Sequence, residues 1–323
     1  MQRLAAPMDN EQSMVTPSIA VAAGRLQTPT VCLIARLEAI GEEARKKNRD
    51  DKPTPQPNAQ LPLWPQTVRG VPNALLRTAL FTISKDREAS KPRNLLASTS
   101  DIDLRFTGER FNQTDLDVWE VLLHVARTQP LETEVRFSAY SLLKALGRGT
   151  GKAQREQLKD GIARLQGGVV EITWKKDRKT FSGQLVGNAF RDDMTQEYVV
   201  VLNEKLLGLY DDGYTHIDWT QRKALKSSLS KWLHGFFSTH DKPHPYKVAT
   251  VRALCGSTTK ELWKFRQMLK VALGDLVTAG FLKEWSITSA DLVRVVVVFP
   301  DDQVKHINKK RVIHRRKPST FTR

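Results

Sequence analysis

Lys260, Lys264 and Gln267 recur at a spacing that puts long donor side chains on one face of a helix, with Arg266 and Lys270 on its flank. At about 100° per residue the opposite side collects Leu262, Phe265, Leu269, Leu273 and Leu276. An apolar stripe backed by cationic and amide side chains suits the DNA major groove, which admits one helix and whose base edges are read by Arg, Lys, Gln or Asn. Just upstream, Ser257, Thr258 and Thr259 follow Gly256 as turn and cap. Their hydroxyls, with the free amides of a first helical turn, can hold phosphate. The plainer alternative is a solvated basic helix face. A second helix, expected over Gly151–Leu165, presents Lys152 and Arg155, with Arg148 and Thr150 at its approach. Glu156 and Asp160 share that face, so its DNA contact should be weaker or confined to phosphates.

Other clusters fail as catalytic or metal sites. GRGTGKA has three residues between its glycines where a phosphate loop needs four, and Ala153 follows the lysine where Ser or Thr is required. His240 and His244 are interleaved with prolines and lack a nearby carboxylate or thiol pair, which favours a turn over a metal site. Asp192 with Asp193, and Asp211 with Asp212, have loop character, and nothing resembles a GxSxG elbow or HExxH. The expectation is a protein that is not an enzyme and uses no cofactor or metal, with a magnesium-dependent nicking enzyme as a weak rival.

The elements that must position the two helices can be read in order. Thr114 reads as the N-cap of a helix whose inner face is Leu116, Trp119, Leu122, Leu123 and Ala126. EVRFS follows as a strand, Tyr140–Leu146 as a short helix stopped by Gly147, then the helix over Gly151–Leu165. GGVVEITWKK, FSGQLVGNAFR and EYVVVLN have strand character. The order returns after the strand His216–Asp218: a helix over Lys226–Thr239, a short one over Val248–Leu254, a long one over Thr259–Ala279, then strands FLKEWSI and LVRVVVVFP. Helix, strand, helix, helix, hairpin is the order of a winged helix. The expected class is α+β, two tandem winged-helix domains with a flexible amino-terminal arm and a basic carboxy-terminal tail; one larger α+β domain is the alternative. The boundaries fall at 1–59 (arm, with a short helix around Val31, Ile34, Leu37 and Ile40), 60–100 (motif and linker, Ser84–Ser100 an exposed loop), 101–213, 214–302 (the main DNA-reading domain) and 303–323 (tail).

Charge points to the same end of the chain. Of 323 residues, 51 are Lys or Arg and 35 Asp or Glu, a net +16 that favours a polyanionic partner. Trp219–Trp285 holds 12 basic and 4 acidic residues and Gln303–Arg323 holds 8 and none, so these two stretches carry the whole excess. No apolar run reaches the roughly 18–20 residues of a membrane helix, and the start lacks an apolar signal core, so an intracellular, cytoplasmic protein is expected. Cys32 and Cys255 read as reduced structural thiols.

Gln60, Leu61, Leu63 and Trp64 form an extended segment after a Pro-rich stretch. Its apolar side chains suit a partner's groove, or else dock on the first domain. LPLWPQTVRGVPNALLRTALF, YTHIDWTQRKALKSSLSKWLHGFFSTHDKPHPYKV and RALCGSTTKELWKFRQMLKVALGDLVTAGFL resemble the TrfA family of plasmid replication initiators, over roughly Gln60–Trp285. The resemblance implies binding of iteron repeats in the origin, opening of the adjacent AT-rich duplex with its single strands, and recruitment of host helicase, initiator and polymerase. It also implies dimers in exchange with active monomers. The family's glutamine-leucine-x-leucine-phenylalanine segment engages the polymerase sliding clamp, and Gln60, Leu61, Leu63 and Trp64 match it position by position, with Pro62 at the variable place and Trp64 instead of Phe. A transcriptional repressor without replisome contact is the rival.

Overall fold

The computed structural model describes residues 60–131 and 134–299; the expected arm with its short helix, Cys32 and the basic tail lie outside the described residues. In chain order the elements are β1 (Val68–Pro72), α1 (Asn73–Leu76), β2 (Phe81–Thr82), β3 (Ala89–Leu96), β4 (Ile102–Glu109), β5 (Phe111–Asn112), α2 (Gln113–Ala126), β6 (Val135–Ser138), α3 (Ala139–Ala145) and α4 (Lys152–Gly167). There follow β7 (Val169–Trp174), β8 (Lys179–Gln184), β9 (Ala189–Asp192), β10 (Glu197–Val200), α5 (Gly208–Asp211) and β11 (Tyr214–Asp218). The last third holds α6 (Trp219–Ala224), α7 (Ser228–Ser238), β12 (Tyr246–Lys247), α8 (Val248–Leu254), α9 (Leu262–Thr278), β13 (Leu282–Ile287) and β14 (Leu292–Val297).

The chain is α+β, and one arrangement occurs twice. β6 pairs with β10 and β10 with β9; β12 pairs with β14 and β14 with β13, all antiparallel. In each case two helices lie between the first strand and the hairpin, and a third helix (α2 or α7) precedes them. The first copy carries an insertion. β7 and β8 leave its three-stranded sheet and join β4 and β3 in a separate antiparallel sheet of order β3-β4-β7-β8, so the strand text after α4 divides between two sheets. There Ile102, Leu104 and Phe106 of β4 alternate inward beside Val170 and Ile172 of β7, while Asp103, Arg105 and Thr107 point away, the period-two pattern of a sheet with one wet face.

Several sequence expectations are corrected. The cap of α2 is Asn112, whose side chain accepts from the Thr114 amide while the Asp115 carboxylate accepts from the Asn112 amide, a reciprocal capping box. Ser84–Ser100 is not a loop throughout, because β3 runs along β4 at the edge of the four-stranded sheet. Its register shifts between Ser90 and Asn94, around Pro92 and Arg93. An edge strand tolerates proline and lysine because one side of its backbone faces no neighbour. Residues 60–72 are likewise no linker: β1 pairs with β11, from Val68 against Asp218 to Pro72 against Tyr214. The first core therefore extends from Leu61 to Trp219, and the second begins at Leu225 rather than at residue 214. All described residues belong to one compact unit.

Candidate nucleic-acid interface

The core of the second repeat fixes α9. Phe265, Leu269, Ala272, Leu273 and Leu276 are buried with Leu229, Leu233 and Phe236 of α7. Asp275 reaches across to accept the Ser230 hydroxyl at 2.7 Å. Lys264, Gln267 and Lys270 then stand exposed on the other side, and among the described residues no ion pair or hydrogen bond occupies their side chains.

The approach to α9 differs from the expectation. The helix starts at Leu262, with Glu261 at the N-cap and no side chain capping it. Lys260 thus precedes the helix, exposed, with its carbonyl accepting from Arg252 Nη1 at 2.8 Å. Ser257 Oγ accepts the Thr259 amide at 3.3 Å, and Thr259 Oγ1 faces the Met268 sulfur at 3.8 Å, which leaves Thr258 as the exposed hydroxyl of the three. A carboxylate at the N-cap already complements the helix dipole and disfavours a second anion there. Arg266 is not a free flank contact either. Its Nε and Nη2 donate to Asp291 Oδ1 and Oδ2 at 2.9 and 2.5 Å, fastening α9 to the turn between β13 and β14.

On the first repeat only Lys152 meets the expectation of an open cation. Arg155 Nε donates back to the Thr150 carbonyl at 3.1 Å. Arg148 turns inward to Asp117 at 3.4 Å and the Thr114 carbonyl at 3.3 Å. Glu156 is paired with Lys159 at 2.9 Å, so Lys159 is not a free cation on that face.

The Gln60–Trp64 segment is docked on its own protein. Gln60 Nε2 donates to the Arg127 carbonyl at 3.1 Å, Leu61 is buried, and Trp64 is 4% exposed. Trp64 Nε1 donates to His124 Nδ1 at 3.0 Å, which makes Nδ1 the acceptor and directs the Nε2 proton to Gln66 Oε1 at 2.6 Å. Burial, with Arg69 and Arg127 close by, lowers the His124 pKa to about 3 and keeps the ring neutral. The indole stacks on Tyr210, and a Cβ at residue 70 would fall 2.5 Å from it, so glycine is required there. Of the four residues matched to a clamp-binding segment, Gln60 and Leu63 are exposed, Leu63 at 69%, while Leu61 and Trp64 are buried.

His240 uses both ring nitrogens, Nδ1 with the Phe236 carbonyl and Nε2 with the Tyr246 hydroxyl, each at 2.9 Å. Among the described residues no group of three or more His, Cys, Asp or Glu could hold a metal, and no helix is long and apolar enough to cross a membrane. Residues 56–296 match the family model described as TrfA protein. The chain belongs to the TrfA family. A curated TrfA relative, the plasmid replication initiator protein of Escherichia coli, is 28% identical over 238 residues, 71% of this chain and 62% of the relative. The chain thus spans less than two thirds of that relative's length. The crystal structure of RctB domains 2–3 is similar to this TrfA-family chain with a TM-score of 0.50 at 10% identity, over 72% of this chain and 99% of that one, a likeness of fold.

Sequence reasoning missed a buried ionic cluster in this TrfA-family chain. α2 is buried nearly all round, including Asp115, Asp117 and Glu120. Arg222 of α6, fully buried, donates Nε to Asp117 Oδ1 at 2.9 Å and Nη2 to Gln113 Oε1 at 3.2 Å. Lys231 of α7 meets Asp117 Oδ2 at 2.6 Å. Glu120 Oε2 also lies 2.9 Å from Arg222 Nε, without hydrogen-bond alignment. Burial drives the Glu120 pKa up to about 7, against the pull of Arg222. At Asp117 burial acts the same way but Arg222, Lys231 and Arg148 together outweigh it, and the carboxyl sits below its ordinary range. The one sequence signal was three acids on a helix rich in Leu and Val.

Proposed function

We propose that this protein initiates plasmid replication as a non-enzymatic origin binder. In this reading the repeats α2–β10 and α7–β14 are tandem winged helices that bind iterons, help open the adjacent AT-rich duplex and draw host helicase and initiator to it. The observation that carries it is the solvent side of α9, where Lys264, Gln267 and Lys270 stand free on a helix locked to its core. Lys264 and Gln267 read base edges, Lys270, Lys260 and Thr258 contact phosphates, and Lys152 adds a phosphate contact from the first repeat. The test is a salt-dependent titration against the repeats of the replicon's own origin and a scrambled duplex. Preference by about a thousandfold or more is expected. Equal affinities carried by the salt slope alone would remove the reading. Lys264→Ala should cost about 1–3 kcal/mol and relax preference at one position; uniform weakening on all sequences would assign Lys264 to phosphate.

Sliding-clamp contact requires Gln60–Trp64 to leave the first core. The burial of Leu61 and Trp64 therefore favours one second reading, a DNA-binding module such as a repressor without replisome contact. Deleting the segment would strip two core side chains and confuse the outcome. The separating measurement is titration of purified sliding clamp into the intact chain, free and bound to origin duplex. Binding in either state supports recruitment, and none in both supports the module.

A further inference from the structure

The solvent face of α9 carries apolar groups that hydrogen-bonded base reading does not use. Trp263 is 58% and Val271 67% exposed. At about 100° per residue Trp263, Gly274, Gln267 and Val271 fall within an arc of about 80°. Single exposed apolar residues are ordinary, but here two of them flank a glutamine on one face, with Lys264 on one side and Lys270 on the other. The only carboxylate within α9, Asp275, is turned to Ser230 of α7. A band that is apolar in the middle, cationic at both edges and without acid matches a polyanion that displays apolar groups. Duplex DNA does so in its major groove, through the C5 methyl of thymine.

We propose that Trp263 and Val271 read thymine methyl groups, with Gln267 between them on an adenine edge; this deepens the DNA-binding reading above and rests on it. Eight residues at about 1.5 Å rise separate the two side chains by about 12 Å. That length covers three to four base-pair steps of about 3.4 Å. The helix therefore selects two thymines three to four steps apart around an A·T pair. Gly274 extends the same face, and a Cβ there would meet nothing within 4 Å. The fold leaves that position open, and a bare helix turn lets a sugar–phosphate chain approach.

The experiment uses the full chain and a random-sequence duplex pool. Sites enriched by binding are resynthesised with deoxyuridine for thymidine, which deletes the methyl and keeps the pairing and the O4 acceptor. Each contacted methyl should be worth about fourfold in affinity, so full substitution should weaken binding by about fifteenfold. Val271→Ala should shrink that thymine-to-uracil ratio, whereas Lys264→Ala should lower affinity and leave the ratio in place. A ratio of one on sites still preferred over scrambled duplex would overturn methyl reading while the origin-binding function stands. Failure to enrich any sequence would defeat the function itself. Loss of self-association in Val271→Ala, with an unchanged ratio, would give this face to a second copy of the chain and overturn the proposal.

Discussion

Gly274 stands where the fold does not need a glycine. Inside a helix, glycine costs about 0.5–1 kcal/mol relative to alanine, and the space above it is open. Gly274→Ala should raise stability by about that amount in urea melts while weakening duplex binding, because the added methyl stands where DNA would approach. A variant that is both more stable and binds as before would show that nothing approaches this turn. The cations show what a sequence discloses at this scale. Arg148, Arg155, Arg266, Lys152, Lys264 and Lys270 all read as DNA contacts, since type and helical phase are local properties. Which of them are already neutralised is not local: Arg148 is paired with an aspartate 31 residues away and Arg266 with one 25 residues away. The docking of Trp64 stood in the sequence only as one of two readings for the same reason, its indole partner His124 lying 60 residues on.

Among the elements, helices with a strong apolar period were legible and edge strands were not. α7, α8 and α9 repeat Leu, Val and Phe at helical spacing, so α8 spans the expected residues and only the ends of α7 and α9 moved, α9 beginning three residues late because Glu261 and not Thr259 caps it. β3 carries Lys91, Pro92 and Arg93 across a register shift, a composition that imitates a loop. The hairpin β13–β14 is tied to α9 by Arg266 and Asp291, each 32% exposed. A pair so open to solvent is screened by water and salt and contributes little to stability. Asp291 holds a φ of 60°, where glycine is unstrained and alanine is not, so Asp291→Gly should cost little stability while releasing one cation beside the reading helix. Expected outcomes are tighter binding to scrambled duplex and a salt slope steeper by about one. An unchanged slope would mean that the freed guanidinium points away from DNA.

At the scale of the whole molecule, buried ionisable groups set how stability depends on pH and how the two cores are joined. Burial lowers His124 and His234 to about 3 and His240 to about 4, against an ordinary 6.5. Groups depressed in this way contribute stability above pH 6.5 that is lost as pH falls. Glu120, raised from 4.5 to about 7, acts in the opposite sense, its contribution being present below 4.5 and lost as pH rises through 7. Three histidines outweigh one glutamate, so urea midpoints should fall from pH 7 towards pH 4.5; a flat profile would contradict the neutral rings. Joining the cores falls to Arg222, placed between the acids of α2 and Lys231 of α7. Burying a charge is repaid only while its partners remain, and removing one partner of a buried pair costs about 3–5 kcal/mol. Against a total stability of about 5–15 kcal/mol, Arg222→Ala should move the melt far down. The Glu120 carboxylate left without its guanidinium accounts for much of that loss, so adding Glu120→Leu should recover part of it. If instead the two substitutions add, the carboxylate is not what Arg222 compensates. If Arg222→Ala melts like the parent chain, the cluster does not hold the cores together.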